Sequence, residues 1–317
     1  MKRFPVTIAF LLAALAPMPS FAAAKKPVVP KTASYSVCPS AKTNVAAHKY
    51  ASIQDAADAA VKFGARTVTM TLCGGTYAQD FDVESSQTFS FKGTNVFITG
   101  SGTKPDAFHL VGAGSLKFAR GIDFKADTSA SGVAMTAIRL ENPGIGRGSL
   151  NFSRNNISGF AQAIVLINAD MTLKSSNITN NEGGEGTATI SVQGASCGKG
   201  SANVTFIGTG ISHNIAGTIL SASNANVKVS NSTFDNNTGT GGFVSGTCQR
   251  ITANGGAFFM NSASTNPLFK GDADSSISIM TTSVFRNSGD GGNDFAQAYG
   301  KVSQSQSNVS QNTDTTP

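Results

Sequence analysis

One short phrase recurs along the chain from residue 116 onward and constrains the fold more than any other feature. Each copy begins with an apolar residue, and a second apolar residue follows two places later, with a polar residue between the two. The copies begin at Leu116, Leu150, Met171, Val204, Val227, Ile251 and Ile277. A third apolar residue comes seven places after the first, except in the first copy, where Ile122 is one place early. This alternation predicts a β-strand with one face in the core.

The period of the phrase indicates a solenoid. Successive copies begin 21 to 34 residues apart, and a further apolar run precedes many of them, as at 163–168 and 189–193. Three short apolar runs per period predict coils that stack and pair as parallel strands. Helical repeats are excluded because the runs alternate with period two and Gly, Asn, Ser and Thr dominate between them. We therefore predict an all-β fold, a single parallel β-helix of about eight to ten coils.

Asparagine recurs at one place in the phrase. It stands ten places after the first residue in five copies, at Asn181, Asn214, Asn237, Asn261 and Asn287. Because an amide both donates and accepts, asparagines stacked at one corner of successive coils can bond to one another and to the turn backbone. We interpret them as a structural ladder, with a row of amides that contacts sugar hydroxyls as the alternative.

A helix is predicted upstream of the repeat, where it caps the stack. The spacing of Ser52 and Asp55 resembles a capping box, and Lys62 and Gly64 end the helix. Its apolar face is predicted to carry Ile53, Ala57, Ala60 and Val61. The stack needs a cap because its end exposes apolar interior and unpaired strand edges. The segment TVTMTL at 67–72 then alternates like a first strand.

The N-terminus indicates export. Lys2 and Arg3 precede an apolar stretch, and alanines follow at 22–24, which is typical of a secretory signal peptide over residues 1–24. No other segment is as apolar as a bilayer-spanning helix requires, so we expect no membrane insertion. The predicted location is secreted or periplasmic. We expect a linker over residues 25–49, the β-helix domain over 50–302 and a disordered tail over 303–317.

Four cysteines permit two disulfides in an oxidising compartment. Three connectivities are open, and we favour Cys38 with Cys73 and Cys197 with Cys248 because each pair brackets one local region. Metal binding is the weaker interpretation, since no CxxC motif or histidine cluster accompanies the cysteines. We expect neither a metal nor another cofactor.

The N-terminal part of the repeat region resembles a known family. The stretch YASIQDAADAAVKFGARTVTMTLCGGTY at 50–77, followed by NVFITGSG at 95–102, is similar to the opening of pectin-lyase-like right-handed parallel β-helix proteins. The resemblance covers the cap directly and the later coils by their period. It implies a right-handed coil and a superfamily that includes pectate and pectin lyases, polygalacturonases, pectin methylesterases, alginate epimerases and adhesive proteins.

The sequence meets few of the residue requirements of those enzymes. It has no Asp-Asp pair for polygalacturonase-like hydrolysis, and neither Asp123-Phe124 nor Asp294-Phe295 continues as in a pectin methylesterase. A pectate-lyase-like elimination needs a basic residue and, commonly, Ca²⁺ held by several carboxylates. Basic candidates exist in the sequence, but a carboxylate cluster does not.

Four basic residues are the candidates for contact with a substrate. Arg120 and Arg154 each stand four places after the start of a copy, so we expect them to stack on one exposed face. Arg147 and Lys199 lie in the extra residues of the two longest intervals, and such loops often form a cleft beside a regular stack. The alternative is that all four are solvated surface charges.

The net charge of +6 is mild, and the basic residues are scattered, which is compatible with an acidic polysaccharide and does not indicate nucleic-acid binding. We expect an exported protein that binds polysaccharide or a cell-surface glycan without turnover. One alternative is a lyase or epimerase that acts on an acidic glycan through Arg120 or Arg154, and Ca²⁺ is expected only in that case. The other alternative is a structural or adhesive envelope protein.

Overall fold

The computed structural model describes residues 32–126, 135–240, 244–263, 268–289, 296–298, 301–310 and 312–314. The predicted signal peptide at 1–24 lies outside these residues. Within them the chain forms one α-helix, α1 (Ile53–Phe63), one 3-10 turn at Gly198–Gly200, and β-strands that account for most of the rest.

The strands are numbered in chain order. They are β1 (Thr32–Val37), β2 (Lys49–Tyr50), β3 (Thr67–Leu72), β4 (Gly75–Tyr77), β5 (Phe81–Glu84), β6 (Thr88–Lys92), β7 (Val96–Ile98), β8 (Asp106–Val111), β9 (Ser115–Phe118), β10 (Ile122–Lys125), β11 (Thr136–Glu141), β12 (Gly148–Ser153), β13 (Asn156–Ser158), β14 (Gln162–Ile167), β15 (Ala169–Lys174), β16 (Asn177–Thr179) and β17 (Ala188–Gln193). They continue with β18 (Ala202–Ile207), β19 (Gly210–Ser212), β20 (Ile215–Ala216), β21 (Thr218–Ser223), β22 (Ala225–Asp235), β23 (Thr238–Gly239), β24 (Val244–Gly246), β25 (Gln249–Phe259), β26 (Ser262–Ala263), β27 (Phe269–Gly271), β28 (Ser276–Met280), β29 (Ser283–Phe285), β30 (Ser288–Gly289), β31 (Ala296–Ala298), β32 (Lys301–Ser305), β33 (Asn308–Ser310) and β34 (Thr313–Asp314).

These strands form three sheets in which neighbouring strands come from successive coils. Sheet B contains β5, β8, β11, β14, β17, β21, β24, β27 and β31, sheet C contains β20, β23, β26, β30 and β34, and sheet A contains the other strands. The coil that starts at β15 illustrates the pattern: β15 and β16 join sheet A, and β17 joins sheet B. The named strands of the described residues pair in parallel, so the prediction of an all-β parallel β-helix is confirmed.

The first residues of the repeated phrase lie above one another inside the stack, in register. The column has eleven rungs: Ala33, Val68, Phe89, Leu116, Leu150, Met171, Val204, Val227, Ile251, Ile277 and Val302. The side chains from Ala33 to Ile277 are buried. The eleven rungs exceed the predicted eight to ten coils by one, because β1, which carries Ala33, lies in the expected linker and β32, which carries Val302, overlaps the expected tail.

The first copy of the phrase departs from the expected spacing. Phe124, and not Ile122, pairs with Ile157 of the next coil. The added residue is Gly121, which turns the chain with a φ of 90°. A Cβ atom at Gly121 would lie 2.9 Å from the carbonyl oxygen of Gly93, so the corner needs glycine for both its backbone angle and its close approach.

The recurring asparagines form the predicted ladder at one corner of the stack. Asn181, Asn214 and Asn237 are buried, and each amide Nδ2 donates to the Oδ1 of the next asparagine at 2.9 Å. The same Oδ1 also accepts from the backbone nitrogen of the asparagine before it, for example from Asn181 N at 3.1 Å. The ladder therefore bonds side chains and turn backbone from coil to coil, which supports the structural interpretation of these residues.

Helix α1 packs on the N-terminal end of the stack as predicted. Ser52 Oγ accepts from the backbone nitrogen of Asp55 at 3.2 Å, and Gly64 ends the helix with a φ of 77°. The buried residues of the helix are Ile53, Ala56, Ala57 and Ala60. Val61 was predicted to be among them and is instead 39% exposed, because at about 100° per residue it lies at the edge of that face and Ala56 lies within it.

Both predicted disulfides are present. Cys38 is bonded to Cys73 with a Cα–Cα distance of 5.0 Å, and Cys197 is bonded to Cys248 with a Cα–Cα distance of 5.8 Å. The first disulfide follows β1 and β3, which pair along their whole length. The second disulfide joins Cys197, which directly precedes the 3-10 turn, to Cys248, which directly precedes β25. Two disulfides indicate an oxidising, extracytoplasmic compartment.

Two segments for which we predicted no regular structure contain strands. Within the expected linker, β1 pairs with β3 through six residues, and its alternating side chains Ala33, Tyr35 and Val37 are buried. Within the expected tail, β32 and β33 extend sheet A, and Asn312 Oδ1 accepts from Asn287 Nδ2 at 3.0 Å. The strands in these two segments were not expected because a new coil pairs through backbone groups and a corner amide, and neither requires a long apolar run.

Candidate functional site

The outer surface of sheet B carries a column of side chains that are far apart in sequence. Register pairing places the following residues on successive coils: Asp82, His109, Arg139, Val165, Ser191, Ser221, Ser245 and Lys270. The first three are ionisable and three of the last four are serines. The column thus joins two features, which we call the charged network and the cleft.

The charged network begins at Asp82 on β5. Its Oδ2 accepts from Lys104 Nζ at 2.8 Å, and its Oδ1 lies 3.2 Å from Nδ1 of His109 on β8. The hydrogen bond from Lys104 is the main cause that lowers the pKa of the Asp82 carboxyl, with further lowering by His109 against the opposing effect of burial. Asp82 is therefore an anion at neutral pH that joins two coils.

The network continues on β11, where Arg139 donates to two carboxylates. Arg139 Nε lies 2.9 Å from Asp106 Oδ1, and Arg139 Nη1 lies 3.1 Å from Glu141 Oε1. Burial lowers the pKa of Arg139, but the bonds and charges of Asp106 and Glu141 outweigh it and the net direction is upward. Two of the three guanidinium nitrogens therefore donate to carboxylates of the protein.

His109 lies in the middle of this network. Its Nε2 is buried, makes no hydrogen bond within the described chain, and lies 4.0 Å from Glu141 Oε2. When the ring proton is on Nδ1, it is donated to Asp82, and Nε2 then faces Glu141 without a proton of its own. The His109 ring therefore lies between carboxylates of neighbouring coils, Asp82 and Glu141, with its Nε2 enclosed.

The cleft lies further along the stack and has a volume of about 410 Å³. Its lining residues are mostly small or hydroxylated: Gln162, Glu185, Gly186, Thr187, Ala188, Ser191, Gly217, Thr218, Ser221 and Thr240. It is open to solvent and follows sheet B from β14 to β21. Hydroxyl and amide groups of this kind both donate and accept hydrogen bonds.

The loop before β17 forms one wall of the cleft. Thr187 Oγ1 donates to Gly184 O at 2.7 Å, and the backbone nitrogen of Thr218 donates to Thr187 O at 3.0 Å. Gly217 lies beneath this loop, where a Cβ atom would be 2.9 Å from the carbonyl oxygens of Glu185 and Thr187. The loop is thus bonded to the next coil at a glycine, so the cleft is preformed.

The structure brings together two of the four predicted basic residues. Arg147 Nη1 lies 3.1 Å from Asp170 Oδ1, and Arg147 Nη2 donates to the backbone oxygen of Lys199 at 3.1 Å. The two inserted loops therefore meet on sheet A, and Arg147 holds them together. The Lys199 side chain is exposed on the 3-10 turn. These contacts do not line the cleft on sheet B.

Arg120 and Arg154 occupy equivalent corner positions on neighbouring coils, since Phe118 pairs with Phe152 two residues earlier in each. Both arginines are exposed, and Arg154 has a φ of 58° at the turn. Within the described residues neither side chain forms an ion pair or hydrogen bond. The alignment agrees with the expected stacking position, and their role in substrate contact stays a prediction.

Sequence reasoning missed the charged network and the cleft. A signal was present, since Asp82, His109 and Arg139 each follow a buried apolar residue at the same position of FDVE, DAFHLV and TAIRLE. The register between these strands was not recognised because loops of different length separate them. Among the described residues, no group of three or more His, Cys, Asp or Glu side chains is arranged to hold a metal ion, and no helix has the length and apolar character to cross a bilayer.

A scan against protein-family models finds no match, and a search of curated proteins finds no similar chain.

Proposed function

We propose that the protein is an exported β-helix protein that binds polysaccharide in the cleft beside sheet B, without turnover. The observation that carries the proposal is the lining of the cleft, which combines serine and threonine hydroxyls, the Gln162 amide and one carboxylate in about 410 Å³. This volume is within the range of about 300 to 1,000 Å³ that is common for small-ligand sites. A sugar unit offers hydroxyls that both donate and accept, so the lining matches its chemistry.

The direction of the cleft supports a polymer as the ligand. Ser191 and Ser221 stand on successive coils of one column, about 4.8 Å apart, and Thr218 lies three residues before Ser221 on the same strand. An extended chain of sugar units can therefore meet the same kind of hydroxyl at each coil. A preformed groove also reduces the entropy that is lost on binding.

The composition of the cleft favours binding over catalysis. Glycoside hydrolysis uses a pair of carboxyl groups that flank the bond. Among the residues that line the cleft, Glu185 supplies the one carboxyl group, and the lining contains no Lys, Arg or His that could act as the base of an elimination. Binding without catalysis is compatible with the pectin-lyase-like superfamily that this chain resembles, because that superfamily includes adhesive proteins as well as enzymes.

The experiment is affinity electrophoresis of the purified protein through gels that contain one polysaccharide each, including pectate, alginate and dextran. The variant Ser191→Ala/Ser221→Ala removes two hydroxyls from the cleft and is expected to weaken binding about 30-fold, since each hydrogen bond contributes on the order of 1 kcal/mol. The matched control Ser90→Ala removes a hydroxyl from β6 of sheet A, away from the cleft, and is expected to migrate as the parent does. Equal retardation of parent and double variant would contradict the proposed cleft.

The same samples test the absence of turnover. Pectate and alginate are incubated with the protein and added Ca²⁺, and ultraviolet-absorbing unsaturated ends and the uronate composition of the polymer are measured. We expect no change in either. Product formation that is lost in Arg120→Ala or Arg154→Ala would replace the binding proposal with a lyase or an epimerase.

A further inference from the structure

We propose that a second site lies on the outer surface of sheet A, where Lys228 and Arg250 bind the carboxylate or sulfate group of an acidic sugar. The site lies on a different face from the cleft. The part of the inference that names a sugar rests on the proposed function, whereas the oxyanion site itself does not. We call the site the sheet A hollow.

Register pairing places the two cations beside each other. Lys228 on β22 pairs with Thr252 on β25, and Asn226 pairs with Arg250. Lys228 and Arg250 are therefore on neighbouring coils, about 4.8 Å apart along the stack and offset by two residues along the strand. The hollow between them has a volume of about 220 Å³ and is lined by Asn203, Asn226, Val227, Lys228, Arg250 and Thr252.

Neither cation is neutralised by the protein. Lys228 and Arg250 are exposed and form no ion pair within the described part of the chain. The carboxylate on the same column, Asp170, is already engaged: its Oδ1 accepts from Asn203 N at 2.7 Å and from Arg147 Nη1 at 3.1 Å. Like charges at neighbouring positions of a sheet repel each other, so an anion between them relieves repulsion as well as adding two attractions.

The amides beside the cations are held in one direction. Asn226 Nδ2 donates to Asn203 Oδ1 at 3.3 Å, and Asn203 Nδ2 donates to Asp170 Oδ1 at 3.3 Å. This relay starts from Asp170 and uses the donor side of the Asn226 amide, whose Oδ1 accepts no hydrogen bond among the described residues. An acceptor amide beside two cations suits a ligand that presents hydroxyl donors next to its anionic group.

The chemistry of the lining identifies the ligand class. The guanidinium of Arg250 presents a fork of N–H donors that matches two oxygens of one carboxylate or sulfate, and the ammonium of Lys228 adds a point charge. Asn226 and Thr252 offer polar groups for hydroxyls on either side. Val227 is buried beneath them, so the hollow offers no apolar side chain for insertion into a lipid layer. An acidic sugar fits this combination better than a membrane surface does.

The test measures binding of the full-length secreted protein to polygalacturonate, dextran sulfate and dextran of matched length. The variant Lys228→Ala/Arg250→Ala is expected to weaken binding to polygalacturonate or to dextran sulfate at least ten-fold, because charged hydrogen bonds are lost, and to leave dextran binding unchanged. The difference between parent and variant should shrink as salt is raised. Whichever polymer is affected distinguishes a carboxylate from a sulfate.

The matched control is Lys117→Ala/Lys174→Ala, which removes the same charge from exposed positions of sheet A away from the hollow. It is expected to bind both anionic polymers within two-fold of the parent. An equal loss in this control would show attraction by overall charge and would overturn the site. Far-ultraviolet circular dichroism of all variants verifies that these surface changes leave the fold intact.

Further arms separate this site from the proposed function. If polysaccharides bind but the Lys228→Ala/Arg250→Ala variant is unaffected, the hollow is overturned and the cleft stands. If no polymer binds, free galacturonate and free sulfate are titrated while side-chain NMR signals of Lys228 and Arg250 are followed; saturable shifts support the oxyanion site without the polysaccharide function, and their absence overturns both. Binding to phosphatidylglycerol vesicles alone, lost in the double variant, would overturn the sugar in favour of a lipid headgroup.

Discussion

Both the early and the late coils of the stack have phenylalanines in contact in their core, as at Phe234 and Phe258 in the late coils, but the late coils have a second support. Between β5 and β12 the core is filled by phenylalanines in mutual contact, with Phe81 stacked on Phe108 at 4.9 Å and Phe91 stacked on Phe118 at 5.0 Å. From Asn181 onward a ladder of amides runs along one corner as far as Asn312. Phe160 stands at the first position of that corner and donates its backbone nitrogen to Asn181 Oδ1 at 3.1 Å.

A coil is therefore held to its neighbour through its interior alone in the early region, and through both its interior and its asparagine corner in the late region. Burial of the rings is driven mainly by the hydrophobic effect, which is non-directional and depends on filled volume, so it tolerates corners of variable length such as the one at Gly121. An amide ladder is directional and demands a constant corner. This agrees with the regular spacing of the later copies, and it predicts different responses to mutation in the two regions.

The largest effect is expected from Phe108→Ala in the early coils. Phe108 is fully buried and its ring lies 4.9 to 5.4 Å from the rings of four neighbours: Phe81, Phe91, Phe118 and Phe124. Truncation leaves a cavity and should lower the free energy of unfolding by about 4 kcal/mol. Urea unfolding measures the change, and hydrogen exchange should show that the early coils open first.

The control is Phe97→Ala, at a ring that is 39% exposed, which should lower the free energy of unfolding by about 1 kcal/mol or less. Similar losses in both variants would refute the aromatic core as the main support of the early coils.

The next effect is expected from Asn237→Ala in the middle of the ladder. The change removes an acceptor for Asn214 and a donor to Asn261, and leaves buried polar groups without partners. We expect a loss of about 2 to 3 kcal/mol in the free energy of unfolding, with faster hydrogen exchange in the adjacent corners. Asn177→Ala removes an exposed amide that donates to Asn156 Oδ1 and should change stability by less than about 0.5 kcal/mol. If Asn237→Ala lowers the free energy of unfolding no more than Asn177→Ala does, the ladder does not stabilise the late coils and the proposed difference between the two regions is wrong.

Alkaline pH is expected to weaken the early region through Tyr77. Burial raises the pKa of Tyr77 to about 12, although the bond to the backbone oxygen of Cys73 opposes the shift. Because the unfolded chain releases this proton near pH 10, the stabilisation is complete below pH 10 and is lost as the pH rises towards 12, by about 2 to 3 kcal/mol at most. Urea unfolding from pH 9 to pH 11.5 measures the slope. Tyr77→Phe should be less stable at pH 8, since Tyr77 Oη also donates to Val37 O at 2.8 Å. Its free energy of unfolding should nevertheless fall less steeply with pH than that of the parent. An unchanged pH slope would contradict the assignment of this slope to Tyr77.

The smallest effect is expected at Asp82 in the charged network. Its pKa is lowered chiefly by the bond from Lys104, so its contribution is present above the unfolded value near pH 4 and is lost as the pH falls through the lower, folded value. Both side chains are more than 40% exposed, which limits the contribution to below about 1 kcal/mol. Thermal unfolding of Asp82→Asn between pH 2.5 and pH 7 should show less acid sensitivity than the parent. Asp55→Asn, at an exposed position of α1, is the control. An equal change in acid sensitivity in both variants would contradict a specific contribution of Asp82.

Much of the stack was predictable because its signals are local. Alternation at Val204 and Phe206 specifies an inward face wherever it occurs, and an asparagine at a constant offset specifies a corner. The strands near the two ends of the stack, β1 and β32, were missed because their signals are not local. Thr32–Val37 is a single short run without a repeated neighbour in sequence, and β32 gains its place from backbone pairing with β28. A strand of that kind is recognised only when its partner is known.

The parallel coils, the ladder asparagines and the capping helix could be read from the sequence because each depends on residue types at short and regular intervals, whereas for the four cysteines the sequence favoured one pairing among three. Only the tertiary structure decided which outward side chains are neighbours. Asp82, His109 and Arg139 lie about 30 residues apart, and Lys228 and Arg250 lie 22 apart, yet each set meets on one surface. The strands of successive coils are aligned by backbone hydrogen bonds, and loops of unequal length separate these strands in sequence. The residues of the loops do not show which positions of the two strands pair.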